Sequence, residues 1–220
     1  RRSDMIVTVP PDLDPRRRRQ KSIALNLKDD VDRASFYDLI TQTDIFIEGM
    51  RPGAAEKLNI GPNDLCSRNP RLIYARMTGW GQEGPLANTA GHDINYLAIS
   101  GALDAIGSAD QPAIPLNLLG DYAGGGMYMV TGILAALLER QQSGVGQTID
   151  CAIVDGVASL TAATLGMLGS GGWGKRGTNT FDGSTPWYAL YETADKQFMA
   201  VGAIEEAFYK QLLSGLKLNV

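Results

Sequence analysis

Apolar and polar side chains alternate over residues 22–27, and over residues 29–42 the apolar positions Val31, Ala34, Phe36, Leu39 and Ile40 recur at helical spacing. The pattern predicts a strand followed by an amphipathic helix. A second short strand over residues 44–49 comes next, then Pro52-Gly53 opening a helix through Leu58, a helix start at Gly61-Pro62-Asn63-Asp64, and a strand over residues 72–77. This β-α-β-α-β order predicts an α/β fold with a parallel sheet. Ligands of such sheets sit beyond the carboxyl ends of the strands, so residues 48–53 and 78–84 are the expected walls of a binding crevice.

Downstream, Thr78-Gly79-Trp80-Gly81-Gln82-Glu83-Gly84-Pro85 reads as a loop whose glycines let backbone approach a ligand, although a plain connecting turn explains it as well. Residues 95–103 read as a short helix and 108–117 as a polar loop. Gly120-Asp121-Tyr122-Ala123-Gly124-Gly125-Gly126 then runs into an apolar helix ending at Arg140, with Asp121 placed to cap it. Each of the three glycines weakens a helix by about 1 kcal/mol relative to Ala. The expectation is a helix start kept bare for a negatively charged ligand oxygen. Beyond a turn at 141–147, residues 151–168 read as a buried helix and 169–183 as a glycine-rich loop or mobile segment. Residues 187–192 and 197–202 pair as a hairpin, and 207–216 form a helix with Phe208, Leu212, Leu213 and Leu216 on one face.

Composition narrows the function classes. The chain has 220 residues, 44% of them hydrophobic, enough for one large domain or most of two. A formal net charge of −4 argues against nucleic acid as a partner, and the basic run Arg16-Arg17-Arg18-Arg19-Gln20-Lys21 suits a small polyanion better than a duplex. Cys66 and Cys151 stand far apart without metal spacing, so neither a disulfide scaffold nor a metal site is expected, and a reducing compartment fits. The apolar stretch 123–138 is too short to span a bilayer comfortably. The chain opens on Arg1-Arg2-Ser3-Asp4 and stops at Val220 inside an apolar pattern, which reads as an interior piece of a longer polypeptide. His92 is the only histidine, set in Gly91-His92-Asp93-Ile94-Asn95-Tyr96. An imidazole can both take and give protons, though a lone histidine also serves as an ordinary hydrogen-bonded structural residue.

The stretches Gly91-His92-Asp93-Ile94-Asn95-Tyr96, Pro115-Leu116-Asn117-Leu118-Leu119-Gly120-Asp121-Tyr122-Ala123-Gly124-Gly125-Gly126 and Val201-Gly202-Ala203-Ile204-Glu205 together resemble the α-methylacyl-CoA racemase family, part of the family III CoA-transferase superfamily. Residues 72–84, 132–137 and 144–150 carry the likeness further along the chain. The resemblance implies a Rossmann-like large domain over 1–180 lacking its first βα unit, the start of a smaller α+β domain over 181–220, and an interlocked homodimer with active sites where subunits meet. It matches His92, Asp121 and Glu205 to the family's catalytic residues. It also implies acyl-CoA contacts at Arg51, Lys57, Met77, Thr78, Gly81, Asp93, Tyr96, Asn117 and Gly120. Glu206 departs from a common Pro, and Lys57 stands where relatives can carry Arg, keeping charge but losing a bidentate phosphate contact.

What the resemblance implies chemically is racemisation of a 2-methylacyl-CoA thioester through a planar enolate. One face must lose a proton and the other gain one, so two opposed acid/base groups are needed, His92 and Asp121, with Glu205 pairing the imidazole. The bare glycine helix start would steady the enolate oxygen. Met127, Met129 and Met167 would offer an adaptable apolar surface to the acyl chain, unless core packing claims them. No separate cofactor or metal is implied, because coenzyme A belongs to the substrate. One rival is a CoA transferase in which Asp121 attacks the thioester; another is an inactive CoA-binding fragment. The expected compartment is the cytoplasm, or peroxisome or mitochondrion for a eukaryotic source.

Overall fold

The computed structural model describes Pro10 and residues 13–218, in two units that part between Leu39 and Ile40. In the first, the Asp14 carboxylate caps a single 3-10 turn, Pro15–Arg17, accepting the Arg16 backbone N–H at 3.0 Å and its guanidinium at 2.8 Å. Residues 22–27 do not form the expected strand. Leu25 and Leu27 are half-buried in alternation with exposed neighbours, but no strand pairs with them among the described residues. Alternation marks a face; a ladder partner makes a strand. Helix α1 (Asp30–Ile40) follows, its first turn held by Asp29, whose carboxylate accepts the Val31 and Asp32 N–H groups at 3.0 and 3.1 Å.

The second unit is built on a parallel sheet of β1 (Ile45–Glu48), β2 (Ile73–Thr78) and β3 (Thr148–Ala152), in the order β1-β2-β3. Central β2 has Ile73, Tyr74 and Ala75 wholly buried, as a strand covered on both faces must. Helices α2 (Ala54–Lys57) and α3 (Pro62–Arg68) connect β1 to β2. Between β2 and β3 lie α4 (Asp93–Ile99), α5 (Ala102–Ala105), a π-helical segment (Leu118–Met127) and α6 (Tyr128–Ser143). After β3 come α7 (Ile153–Leu160), α8 (Ala162–Gly169), the antiparallel hairpin β4 (Tyr188–Glu192) and β5 (Phe198–Gly202), and α9 (Glu206–Gly215). Helix α6 lays Met129, Ile133 and Ala136 on Ile73, Ala75 and Cys151 of the sheet. A second core joins Tyr96, Leu97 and Ala102 to Ile153 and Val157 of α7. No helix among the described residues is long and apolar enough to cross a membrane.

The bare helix start expected at Gly124-Gly125-Gly126 is absent. The helical path begins at Leu118, so the glycines lie inside the i→i+5 ladder, Asn117 holds the cap position, and Asp121 sits in the first turn rather than at the cap. The glycines serve packing instead. A Cβ on Gly124 would stand 2.8 Å from Val157 Cγ2 and 3.0 Å from its backbone nitrogen, and one on Gly156 would collide with the Gly124 carbonyl. Bare backbone on both elements lets α7 rest directly on the π segment.

Other expectations shift by smaller amounts. The helix expected over 95–103 is split by Gly101, whose φ of +80° separates α4 from α5. Residues 151 and 152 belong to β3, and Thr161 breaks the rest of the expected buried helix by bonding its hydroxyl back to the Val157 carbonyl at 2.9 Å. The second piece, α8, contains no buried residue. The glycine-rich loop is tied internally: Asn179 accepts the Gly174 N–H at 2.7 Å, and Asp182 accepts those of Gly177 and Asn179 at 2.7 and 3.0 Å.

Candidate active site

A cavity of about 380 Å³ opens at the carboxyl ends of β1 and β2, where parallel-sheet topology places ligands. Gly49, Met50, Arg51 and Pro52 form one wall, Thr78, Gly79 and Trp80 another, and Ala87 and residues 89–92 with Tyr96 the third. Of the two segments expected to line a crevice, 48–53 and 78–84, residues 49–52 and 78–80 do so. His92 is exposed at the N-cap of α4, where its backbone N–H donates to Asn95 Oδ1 at 2.9 Å and fixes the approach to the helix. Trp80 meets Tyr96 edge to face, ring centroids 4.7 Å apart.

Asp93 joins the His92 end of α4 to the π segment. Its Oδ2 accepts the Asp121 backbone N–H at 2.7 Å, and Gly120 lies so close beneath the carboxylate that a Cβ there would collide with Oδ2. Asn117 Nδ2 lies 3.5 Å from Asp121 Oδ2. Asp93 is buried, and among the described residues its Oδ1 has no hydrogen-bond partner. Burial, reinforced by the charges of Asp121 and Asp93, pushes the Tyr96 phenol above its ordinary value, so it stays a neutral hydroxyl at physiological pH. Asp93 thus ties Gly120 and Asp121, with Asn117 beside them, to the His92 end of α4; of this group His92 and Tyr96 line the cavity and the others do not.

The remaining residues implied by resemblance fall elsewhere. Arg51 and Thr78 line the cavity. Lys57 is exposed at the end of α2. Gly81 is buried, its N–H bonded to Thr78 Oγ1 at 2.9 Å. Met77 packs into both cores instead of the cavity wall. Glu205 is exposed at the N-cap of α9, and among the described residues no ion pair or hydrogen bond links it to His92. Of the methionines assigned to an acyl surface, Met129 is buried in the sheet core while Met127 is exposed.

Sequence reasoning missed a buried charge cluster beneath the first wall. Arg76 of β2 donates from Nε to Glu48 Oε1 at 2.7 Å and from Nη1 to Glu56 Oε1 at 2.7 Å, and Glu48 Oε2 accepts the Met50 N–H at 2.6 Å. An arginine inside an otherwise apolar strand was the available signal, since a buried guanidinium requires partners. Its hydrogen bond holds the Glu56 carboxyl below its ordinary value against the opposing effect of desolvation.

A parallel sheet with a cavity at its carboxyl edge, rimmed by a histidine, a tyrosine and an arginine, defines an α/β protein with a candidate site there. The chain belongs to CoA-transferase family III, whose sequence profile matches residues 13–219. It is 47% identical over 204 residues to the alpha-methylacyl-CoA racemase of Mus musculus, covering 92% of this chain and 54% of the relative. The Homo sapiens alpha-methylacyl-CoA racemase is also 47% identical over 204 residues, with 92% and 53% covered. The chain thus spans about half the length of these relatives. The crystal structure of a CAIB/BAIF family protein from Brucella suis superposes with a TM-score of 0.75 at 26% identity, over 90% of this chain and 52% of that one.

Proposed function

We propose that this chain carries the acyl-CoA site of a 2-methylacyl-CoA racemase, interconverting the (R) and (S) thioesters by 1,1-proton transfer through an enolate. The observation that carries the proposal is the Asp93 link. One carboxylate ties the helix start bearing His92, which lines the cavity, to the backbone of Asp121, and this link supports a reading in which the two residues act on one substrate. His92 takes the proton from one face of the α-carbon and Asp121 returns one to the other. Arg51 at the cavity wall and Lys57 beyond it meet the phosphates of coenzyme A, which is part of the substrate, and no further cofactor is included. The 47% identity to proteins named alpha-methylacyl-CoA racemase supports this substrate class.

Within this reading residues 1–180 are the CoA-binding domain, residues 181–220 begin a smaller one, and two copies interlock. Glu205, separate from His92 in the single chain, reaches it from the partner subunit.

The test is α-proton exchange. Full-length protein incubated with a 2-methylacyl-CoA in heavy water incorporates deuterium at the α-carbon without an acceptor acid, and His92→Ala and Asp121→Ala each abolish incorporation. A protein that binds the thioester yet exchanges no α-proton over hours refutes the racemase. If it instead passes coenzyme A to an acceptor acid, and needs Asp121 but not His92, it is the transferase.

A further inference from the structure

The cavity wall formed by Gly49, Met50, Arg51 and Pro52 is a loop with no secondary structure of its own, yet both its flanks are fastened to one buried side chain. Glu48 ends β1 directly opposite Arg76 in the parallel register, and Glu56 lies in α2 just past the loop. The Arg76 guanidinium reaches both: Nε to Glu48 Oε1 at 2.7 Å, Nη1 and Nη2 to the two Glu56 oxygens at 2.7 and 3.3 Å. The second Glu48 oxygen accepts the Met50 N–H at 2.6 Å, carrying the fixation into the loop itself. Arg76 is 6% exposed, and its Nε, Nη1 and Nη2 are already committed to carboxylates, so it is not itself an anion ligand for the cavity. Two carboxylates around one guanidinium also leave a net negative charge, which would repel a phosphate. The cluster orients; it does not attract.

We propose that Arg76 is a positioning residue for coenzyme A: by clamping Glu48 and Glu56 it fixes the loop that presents Arg51 and the α2 turn that presents Lys57, the two cations that meet the nucleotide phosphates. The inference rests on the CoA-binding reading above. A loop held in its binding geometry before the ligand arrives loses little freedom on binding, whereas a loosened one surrenders affinity for the nucleotide end alone. Pantetheine carries no nucleotide phosphate for Arg51 or Lys57 to meet, so its binding should be indifferent to the clamp.

The experiment measures binding rather than turnover, by calorimetric titration of the full-length protein with coenzyme A and, separately, with pantetheine, which lacks the nucleotide. Arg76→Lys keeps the charge but cannot bridge both carboxylates. Glu56→Gln, at a half-exposed side chain, opens the α2 side and serves if the first variant folds poorly. Each variant is expected to weaken coenzyme A about tenfold and leave pantetheine unchanged. Equal loss for both ligands, or no loss for either, overturns the positioning role and leaves the CoA reading standing. A wild-type protein that does not bind coenzyme A overturns the reading itself, and this inference with it.

Discussion

Two substitutions at Asp93 test its link to the π segment. Its Oδ2 accepts the Asp121 N–H at 2.7 Å in a buried setting, so Asp93→Ala strands a backbone donor and should cost about 1–3 kcal/mol of unfolding free energy. Asp93→Asn keeps a carbonyl oxygen for that donor and should cost less, giving an urea midpoint between wild type and Asp93→Ala. Equal midpoints for the two variants would remove the link from the argument. Glu56 gives a residue-scale pH test with a defined sign. Its carboxyl is held below the ordinary value of 4.5 by the Arg76 hydrogen bond, so the unfolded chain binds the proton more readily. The contribution is complete above the ordinary value and disappears as pH falls through the depressed one. Urea midpoints of wild type and Glu56→Gln should therefore differ by a constant amount from about pH 7 to pH 6 and converge as the solution is acidified below that range. A gap that widens on acidification contradicts the assigned cause.

At the scale of elements the glycine run separates two explanations that the bare sequence left entangled. If Gly124 and Gly126 both kept a helix start open, alanine at either would act alike. In the packing explanation they differ. Gly124→Ala puts its Cβ 2.8 Å from Val157 Cγ2 and forces α7 off the π segment, costing about 1–3 kcal/mol. A Cβ on Gly126 meets only the Asp121 carbonyl oxygen, at 3.6 Å, so Gly126→Ala should be neutral or stabilising by up to about 1 kcal/mol. Thermal unfolding of the two variants decides it. The same contrast explains which elements were legible. Strands β1 and β2 follow from runs of apolar side chains, and the helix start at Gly61 and the helix stop at Gly144 from turn chemistry, because these causes are local. The pairing of residues 148–152 as β3, the failure of 22–27 to pair, and the reason for Gly124 lie in partners distant along the chain. Periodicity carries no record of a partner.

Across the whole molecule the position of the candidate cavity was legible and its supports were not. The crevice behind β1 and β2 follows from strand order, and His92 stands on its wall, whereas the pairing of His92 with Asp121 came from the resemblance and belongs to the proposal. The Asp93 link and the Arg76 clamp could not be read from the sequence, because each depends on a register that sequence spacing does not fix. Glu205 raises the remaining whole-molecule question, since it stands exposed on α9 with no link to His92 inside one chain. If the site is completed across an interlocked homodimer, full-length His92→Ala and Glu205→Ala proteins, each inactive alone, must complement when unfolded together and refolded as a mixture. In a mixed dimer one site combines both substitutions, while the other pairs an intact His92 with an intact Glu205 from its neighbour. Random pairing makes half the dimers mixed with one working site of two, so α-proton exchange should recover to about a quarter of wild type. If both residues served from the same chain, each site of a mixed dimer would lack one of them, and mixing would restore nothing.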